Sequence, residues 1–105
     1  MNTEQFDKIV ANRCSKIEEV LSVKAKEYVR GSDRLHNFNR GAEISGISRE
    51  RVLHGFMLKH FISYLDMLDD IDKGIIPPPD YVDEKIGDII NYMVLMEASI
   101  KDRVK

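Results

Sequence analysis

The amino-acid sequence predicts an all-α fold, a small helical bundle built on three long helices. Apolar residues recur at spacings of three, four and seven, which is the period of an amphipathic helix. The 105 residues include only six glycines and three prolines, so there are few places for turns, and strand signals are weak throughout. We therefore expect one helical domain, 1–105, with long helices at about 3–29, 48–73 and 80–103 and a polar connector at 30–47.

The first predicted helix begins with Thr3 as its N-cap, and Glu4 and Asp7 suit the positive end of its dipole. Gly31 ends it. Its apolar face is expected to consist of Phe6, Val10, Cys14, Ile17, Leu21 and Tyr28. On this face Cys14 is interpreted as a buried packing residue.

The connector that follows is rich in glycine, serine and asparagine among charged residues, with a short helical turn around Arg40–Ile44 as one alternative. Ser48 can cap the second long helix, which ends at Gly74 and the three consecutive prolines 77–79. Asp80 can cap the third. Helices two and three are expected to pack as an antiparallel pair. Both are apolar on more than one face, so we expect a homo-oligomer.

Composition excludes several classes of protein. There is no apolar run of about 18 residues and no basic segment followed by an apolar one at the N-terminus, so we expect neither a membrane helix nor a secretory signal. A single cysteine cannot form an internal disulfide or a cysteine-based zinc site. We therefore expect a cytoplasmic protein.

The formal charge of -2 hides an asymmetry along the chain. Residues 1–60 carry 11 basic and 8 acidic residues, whereas residues 61–105 carry 5 basic and 10 acidic residues. Solvated helix faces explain such a pattern, and so does a cationic half that recognises phosphate. Duplex DNA is not an expected partner, because tracking its backbone needs many uncompensated cations.

Polar residues that interrupt the apolar helices form two stripes. Lys59, Ser63, Asp66 and Asp70 lie on one face of the second helix, and Glu84, Asp88 and Asn91 on one face of the third. If the stripes face each other, their carboxylates suit Mg²⁺. The alternative is that Asp88 pairs with Lys85 or Lys59, and that Glu84 only complements the helix dipole.

The end of the first helix and the connector hold candidate nucleotide-binding residues. Arginine and lysine near Gly31 suit a phosphate, and Tyr28 or Phe38 suits stacking on a base. The ordinary alternatives are core aromatics, His36 as a turn residue and His60 as a hydrogen-bonded core residue. The predicted nucleotide-binding set is Lys24, Glu27, Tyr28, Arg30, Arg34, His36, Asn37, Phe38, Arg40, Lys59 and Asn91.

Four motifs occur in a familiar order over about residues 20–100. They are Lys24-x-x-Glu27-Tyr28, Asp33-x-x-x-Asn37-Phe38, Lys59-His60, and the run from Asp83 to Tyr92 with its Glu84, Asp88 and Asn91. With these motifs the chain resembles small phage-encoded proteins of the nucleotide modification associated type. Those proteins are in turn similar to the MazG-like all-α nucleotide pyrophosphatases.

This resemblance implies an Mg²⁺-dependent nucleoside triphosphate pyrophosphohydrolase acting in the host cytoplasm. Glu84, Asp88 and Lys59 would then be catalytic, and Glu27, Asp66, Glu84 and Asp88 would hold the metal. The metal motif is incomplete, because Lys85 stands where the family's Glu-x-x-Asp element has its glutamate. The second hypothesis is a non-catalytic oligomer that sequesters a nucleotide or cyclic-nucleotide signal, and the third is a helical interaction module.

Overall fold

The computed structural model describes residues 1–23 and 31–104, and over these ranges the predicted all-α fold is confirmed. The elements are α1 (Thr3–Glu18), a π-helical segment (Glu19–Val23), α2 (His36–Ser45), α3 (Arg49–Asp72) and α4 (Pro79–Asp102), and the same ranges contain no β-strand. Within them, no helix combines the length and the apolar character needed to cross a membrane.

The start of α1 differs from the prediction by one residue. Asn2, rather than Thr3, is the N-cap, and its side chain accepts a hydrogen bond from the backbone N–H of Gln5 at 2.8 Å. The Gln5 side chain accepts in return from the N–H of Asn2 at 2.9 Å, which completes a capping box. At its other end α1 continues as the π-helical segment Glu19–Val23, so the predicted first helix is helical as far as residue 23 but changes its hydrogen-bonding pattern at Glu19. The last predicted residues, 24–29, lie outside the described ranges.

The polar connector is not irregular, since most of it forms the ten-residue helix α2. Asp33 forms a turn just before α2, because its Oδ1 accepts from the N–H of the N-cap residue Leu35 at 2.9 Å. Leu35 is buried, and Phe38 packs edge-on against Phe56 of α3 with ring centroids 5.9 Å apart. These apolar contacts supply the packing that a short polar helix lacks by itself. Gly46 ends α2 with a left-handed φ of 70°.

The bounds of α3 and α4 lie close to those predicted. Ser48 caps α3 by accepting from the N–H of Arg51 at 3.2 Å. The predicted Asp80 cap of α4 is wrong. Pro78 occupies the cap position, and Pro79 is the first helical residue, where its fixed φ suits the helix and its missing N–H costs nothing.

The helices α3 and α4 form the predicted antiparallel pair, because Arg49 lies beside Ser99 and His60 beside Asp88. One side of this pair carries α2, packed on α3, and α1, packed on α4. Among the described residues, the buried apolar ones lie where these elements meet, and they are Leu35, Val52, Leu53 and Met67.

Lys59 and Asp66, which were predicted to point toward α4, do not do so. His60, Tyr64 and Met67 occupy the inner line of α3, so Lys59 and Asp66 point to solvent. A related correction concerns Cys14, which is exposed because the half-buried positions of α1 are Arg13 and Ile17.

Candidate functional site

Asp88, at the centre of the predicted site, is engaged by a histidine. His60 Nδ1 lies 3.1 Å from Asp88 Oδ2, and both side chains are partly buried. The His60 ring stacks on Tyr92 with centroids 5.1 Å apart and 29° between the planes. Burial, and then the negative charge of Asp88, raise the pKa of the Tyr92 hydroxyl. The three residues therefore form a continuous group between α3 and α4, with His60 partnered rather than free.

Asp88 also lines a cavity of about 340 Å³ between α1, the π-helical segment and α4, which we call the polar cavity. Its walls are formed by Arg13, Lys16, Glu19, Val20, Asp80, Asp83, Glu84, Gly87, Asp88 and Asn91. Three residues of the predicted site, Glu84, Asp88 and Asn91, are brought together here. Within the described residues the buried Asn91 Oδ1 has no hydrogen-bond partner. An unpaired buried acceptor is costly, so this atom is the one in the polar cavity that most needs a partner.

Two cations that sequence reasoning missed complete the polar cavity. Arg13 Nη2 donates to the backbone oxygen of Asp83 at 3.1 Å, and Lys16 Nζ lies 3.5 Å from Asp83 Oδ2. Gly87 makes this possible, because a Cβ at that position would lie 2.6 Å from Arg13 Nη1. The signal was present in the sequence, since Arg13 falls between Val10 and Ile17 at helical spacing and so interrupts the apolar stripe.

A second cavity of about 640 Å³ opens between the π-helical segment, the start of α2 and α4, and we call it the connector cavity. Its walls are formed by Val20, Leu21, Ser22, Asp33, Arg34, Leu35, His36, Asn37, Phe38, Tyr92, Val94, Leu95 and Ala98. Four predicted nucleotide-binding residues, 34 and 36–38, therefore share one wall. Arg34 is fixed there, because its Nη2 donates to the backbone oxygen of Leu21.

The remaining predicted residues are not gathered at these cavities. Lys59 and Asp66 are exposed on α3 and line neither cavity, because the register turns them away from α4. Arg40 is exposed and pairs with Glu43 at 2.6 Å. The other four, Lys24, Glu27, Tyr28 and Arg30, lie outside the described residues.

A metal ion in the polar cavity would need several oxygen ligands that converge on one point. Of the predicted ligands, Glu84 and Asp88 share the cavity, but Asp88 is paired with His60. Over residues 1–23 and 31–104, no three histidine, cysteine, aspartate or glutamate side chains are grouped so as to hold a metal ion. The described residues of the polar cavity therefore do not supply a complete set of ligands for Mg²⁺. The magnesium prediction, whose ligand set includes Glu27, stays a prediction.

The opposite end of the α3–α4 pair holds a polar network that the sequence did not indicate. Arg49 Nε donates to Ser99 Oγ at 2.7 Å, and Arg49 Nη2 donates to the Ser99 backbone oxygen at 2.8 Å. Ser99 is fully buried and donates from its hydroxyl to Glu50. That hydrogen bond, together with Arg103, lowers the pKa of Glu50 although desolvation opposes it. Arg49 also reaches Asn39 and Asp102, so this network is satisfied internally.

No protein-family model, curated protein or solved structure matches the chain. Any functional conclusion therefore depends on the residues of the cavities themselves.

Proposed function

We propose that the protein binds a nucleotide in the connector cavity and holds it without hydrolysis. The observation that carries this proposal is the grouping of Arg34, His36, Asn37 and Phe38 on one wall of that cavity. The volume of about 640 Å³ lies within the range of small-molecule sites, which is roughly 300–1,000 Å³.

The phosphate is assigned to the polar side of the cavity. Arg34 supplies a permanent charge, and the first turn of α2 contributes the positive end of a helix dipole through His36 and Asn37. The Asp33 carboxylate, which also lines this wall, is held by the hydrogen bonds that its two oxygens accept from the N–H of Leu35 and the amide of Asn39. We therefore expect the phosphate at Arg34 and the first turn of α2.

The base is assigned to the aromatic and aliphatic side. Phe38 is held edge-on by Phe56, and Tyr92 is held against His60, so both rings are ordered before a ligand arrives. Little side-chain entropy is then lost on binding. Ring faces stack on any base, so this arrangement supports nucleotide binding without choosing a base.

A second candidate is the magnesium-dependent pyrophosphohydrolase that the sequence resembles. The observation in its favour is that Val20 lines both cavities, so the carboxylates of Glu84 and Asp88 lie next to the proposed nucleotide site. If bound, Mg²⁺ would supply charge neutralisation at the phosphate chain. We rank this candidate second because Asp88 is paired with His60 and Lys59 is exposed. With the sequestering function we also propose a cytoplasmic location.

The test is a thermal-stability screen against nucleoside triphosphates and cyclic dinucleotides, followed by recovery of the ligand. A true ligand at 100 times its Kd stabilises the fold by about 2.7 kcal/mol. We expect that stabilisation with the ligand recovered intact, its loss in Arg34→Gln, and no change in the matched control Arg40→Gln, since Arg40 pairs with Glu43 outside the cavity.

Hydrolysis is tested in the same incubations with Mg²⁺ or EDTA. Release of pyrophosphate that EDTA abolishes and Asp88→Asn removes would replace sequestration with the enzyme. No stabilisation by any nucleotide, with no turnover, would overturn both candidates and leave the helical interaction module.

A further inference from the structure

The α3–α4 pair carries an apolar face that the described residues leave open. Its members are each between 38% and 51% exposed, and they are Leu58, Phe61, Leu65 and Leu68 of α3 with Met93 and Ile100 of α4. We call this set the open face. An apolar groove of about 530 Å³ runs along its α4 half. Monomeric proteins rarely expose a contiguous apolar surface of this kind.

Both halves of the open face lie on the same side of the helix pair. Successive residues of an α-helix are rotated by about 100°. Val52, which packs under Gly41 of α2, therefore points away from Phe61 by about half a turn. On α4, Gly87 lies under Arg13 of α1, and Met93 points about a third of a turn away from it. The helices α1 and α2 thus cover one side of the pair, and the open face lies on the other.

The chain exposes more surface than a compact monomer of its mass, and the surplus is large enough for a second copy to cover. The chain exposes 7830 Å², whereas a compact monomer of 12.1 kDa exposes about 6,000 Å². The excess of about 1,800 Å² is comparable to the share that each partner buries in an obligate homodimer, which is more than about 1,000 Å². The radius of gyration, 16.1 Å, likewise exceeds the value of about 13 Å expected for a compact chain of this length.

Charge on the open face is consistent with self-association. Its six members are uncharged, while Glu97 and Lys101 lie at the edge of the groove and already pair with each other at 2.5 Å. A two-fold contact brings each patch against itself, so a neutral centre avoids opposing like charges. The small net charge of -2 adds little long-range repulsion between copies.

We propose that two copies of this chain pack their open faces together. The two α3–α4 pairs then form a four-helix core, with α1, α2 and both cavities on the outside. This arrangement does not rest on the proposed nucleotide function, because it is argued from the open face alone, although Val94 lines both the α4 groove and the connector cavity.

The first test is the mass of the protein in solution, by sedimentation or light scattering. We expect the wild type at twice 12.1 kDa. Leu65→Glu combined with Met93→Glu should give the single-chain mass with its helical circular dichroism kept. The matched control Lys59→Glu, on the exposed polar side of α3, should keep the dimer mass. A wild type at 12.1 kDa at every concentration, or at more than two copies, overturns the proposal.

The second test identifies the face even if the double variant fails to fold. The chain contains no tryptophan, so Phe61→Trp introduces a single fluorescent reporter. Its emission should move to shorter wavelength as concentration rises, because the ring becomes buried. Phe6→Trp, at an exposed phenylalanine of α1, should not shift. A concentration-dependent shift at Phe6 alone, or at neither position, overturns the assignment to the open face.

Discussion

The two ends of the α3–α4 pair use the same residue types for opposite purposes. At one end Arg49, Glu50 and Ser99 satisfy one another, and the fully buried Ser99 hydroxyl is both donor and acceptor. At the other end the polar groups face a cavity, and the buried Asn91 Oδ1 has no partner among the described residues. We call these the closed end and the cavity end.

Folding stability is located mainly at the closed end, and the capacity to bind a ligand is located at the cavity end. Polar groups that are mutually hydrogen-bonded have nothing left to offer a ligand, and their loss is expensive. At the cavity end, Arg13 and Lys16 both reach the single residue Asp83, whose carboxylate is about half exposed. Ion pairs with a half-exposed carboxylate contribute little to the free energy of folding. A ligand can therefore bind Arg13 and Lys16 in place of Asp83 with little loss of stability.

The largest expected effect is at the closed end. Arg49→Ala leaves the Ser99 backbone oxygen and the Asn39 side-chain oxygen without the hydrogen bonds that Arg49 donates, and it removes the hydrogen bond from Arg49 to Asp102. We expect the free energy of unfolding to fall by about 3 kcal/mol, as in other broken buried networks. Chemical denaturation measures it. The control Arg40→Ala removes an exposed pair and should cost less than about 1 kcal/mol; equal effects would erase the distinction between the two ends.

An intermediate effect is expected at Gly87, at the cavity end. Alanine in a helix is favoured over glycine by about 1 kcal/mol, but here its Cβ would meet Arg13. We therefore expect Gly87→Ala to stabilise the protein by about 1 kcal/mol in an Arg13→Ala background and to give much less in the wild type. A double-mutant cycle measured by denaturation checks this. The same gain in both backgrounds would show that Gly87 is not needed to accommodate Arg13.

Gly41 of α2 is the matched control for Gly87, because an added Cβ there would meet a core side chain. At Gly41 an added Cβ would lie 2.9 Å from Cγ1 of Val52, a buried side chain that is stiff at χ1. The flexible end of Arg13 can move, but Val52 cannot move easily, so Gly41→Ala should destabilise where Gly87→Ala does not.

The smallest expected effect is the pH dependence of the closed end. Because Ser99 lowers the pKa of Glu50 below its usual 4.5, the folded state favours the carboxylate. That stabilisation is present above pH 4.5 and is lost as the pH falls through the lower folded pKa. Glu50→Gln should therefore flatten the acid limb of the unfolding free energy. Glu97→Gln is the control, since Lys101 lowers the pKa of the solvent-exposed Glu97. If Glu97→Gln flattened the acid limb of the unfolding free energy as much as Glu50→Gln, a special role for the closed end would be contradicted.

The sequence predicted the helices well where local chemistry decides them. Ser48 capped α3 as expected, and the apolar periods located α3 and α4 to within a few residues. The full length of α2 was not predicted, because this helix is stabilised by the packing of Leu35 and Phe38 on distant parts of the chain. The local sequence pattern does not contain that information.

The candidate site was predicted only in part. Glu84, Asp88 and Asn91 were grouped correctly, because they lie on one face of one helix. Lys59 and Asp66 were placed opposite them by an assumed register, and a difference of two residues in that register turns them to solvent. Arg13 was missed because its partner Asp83 is 70 residues away, so the contact depends on tertiary packing.

The π-helical segment Glu19–Val23 means that part of the binding surface is encoded by residue count as well as by residue identity. A π-helical turn holds more residues than an α-helical turn, so the side chains after it are rotated relative to those before it. Val20, Leu21 and Ser22 belong to this segment and to the cavity walls, and Val20 lines both cavities. Deleting one residue of the segment is therefore expected to disturb the walls of both cavities at once.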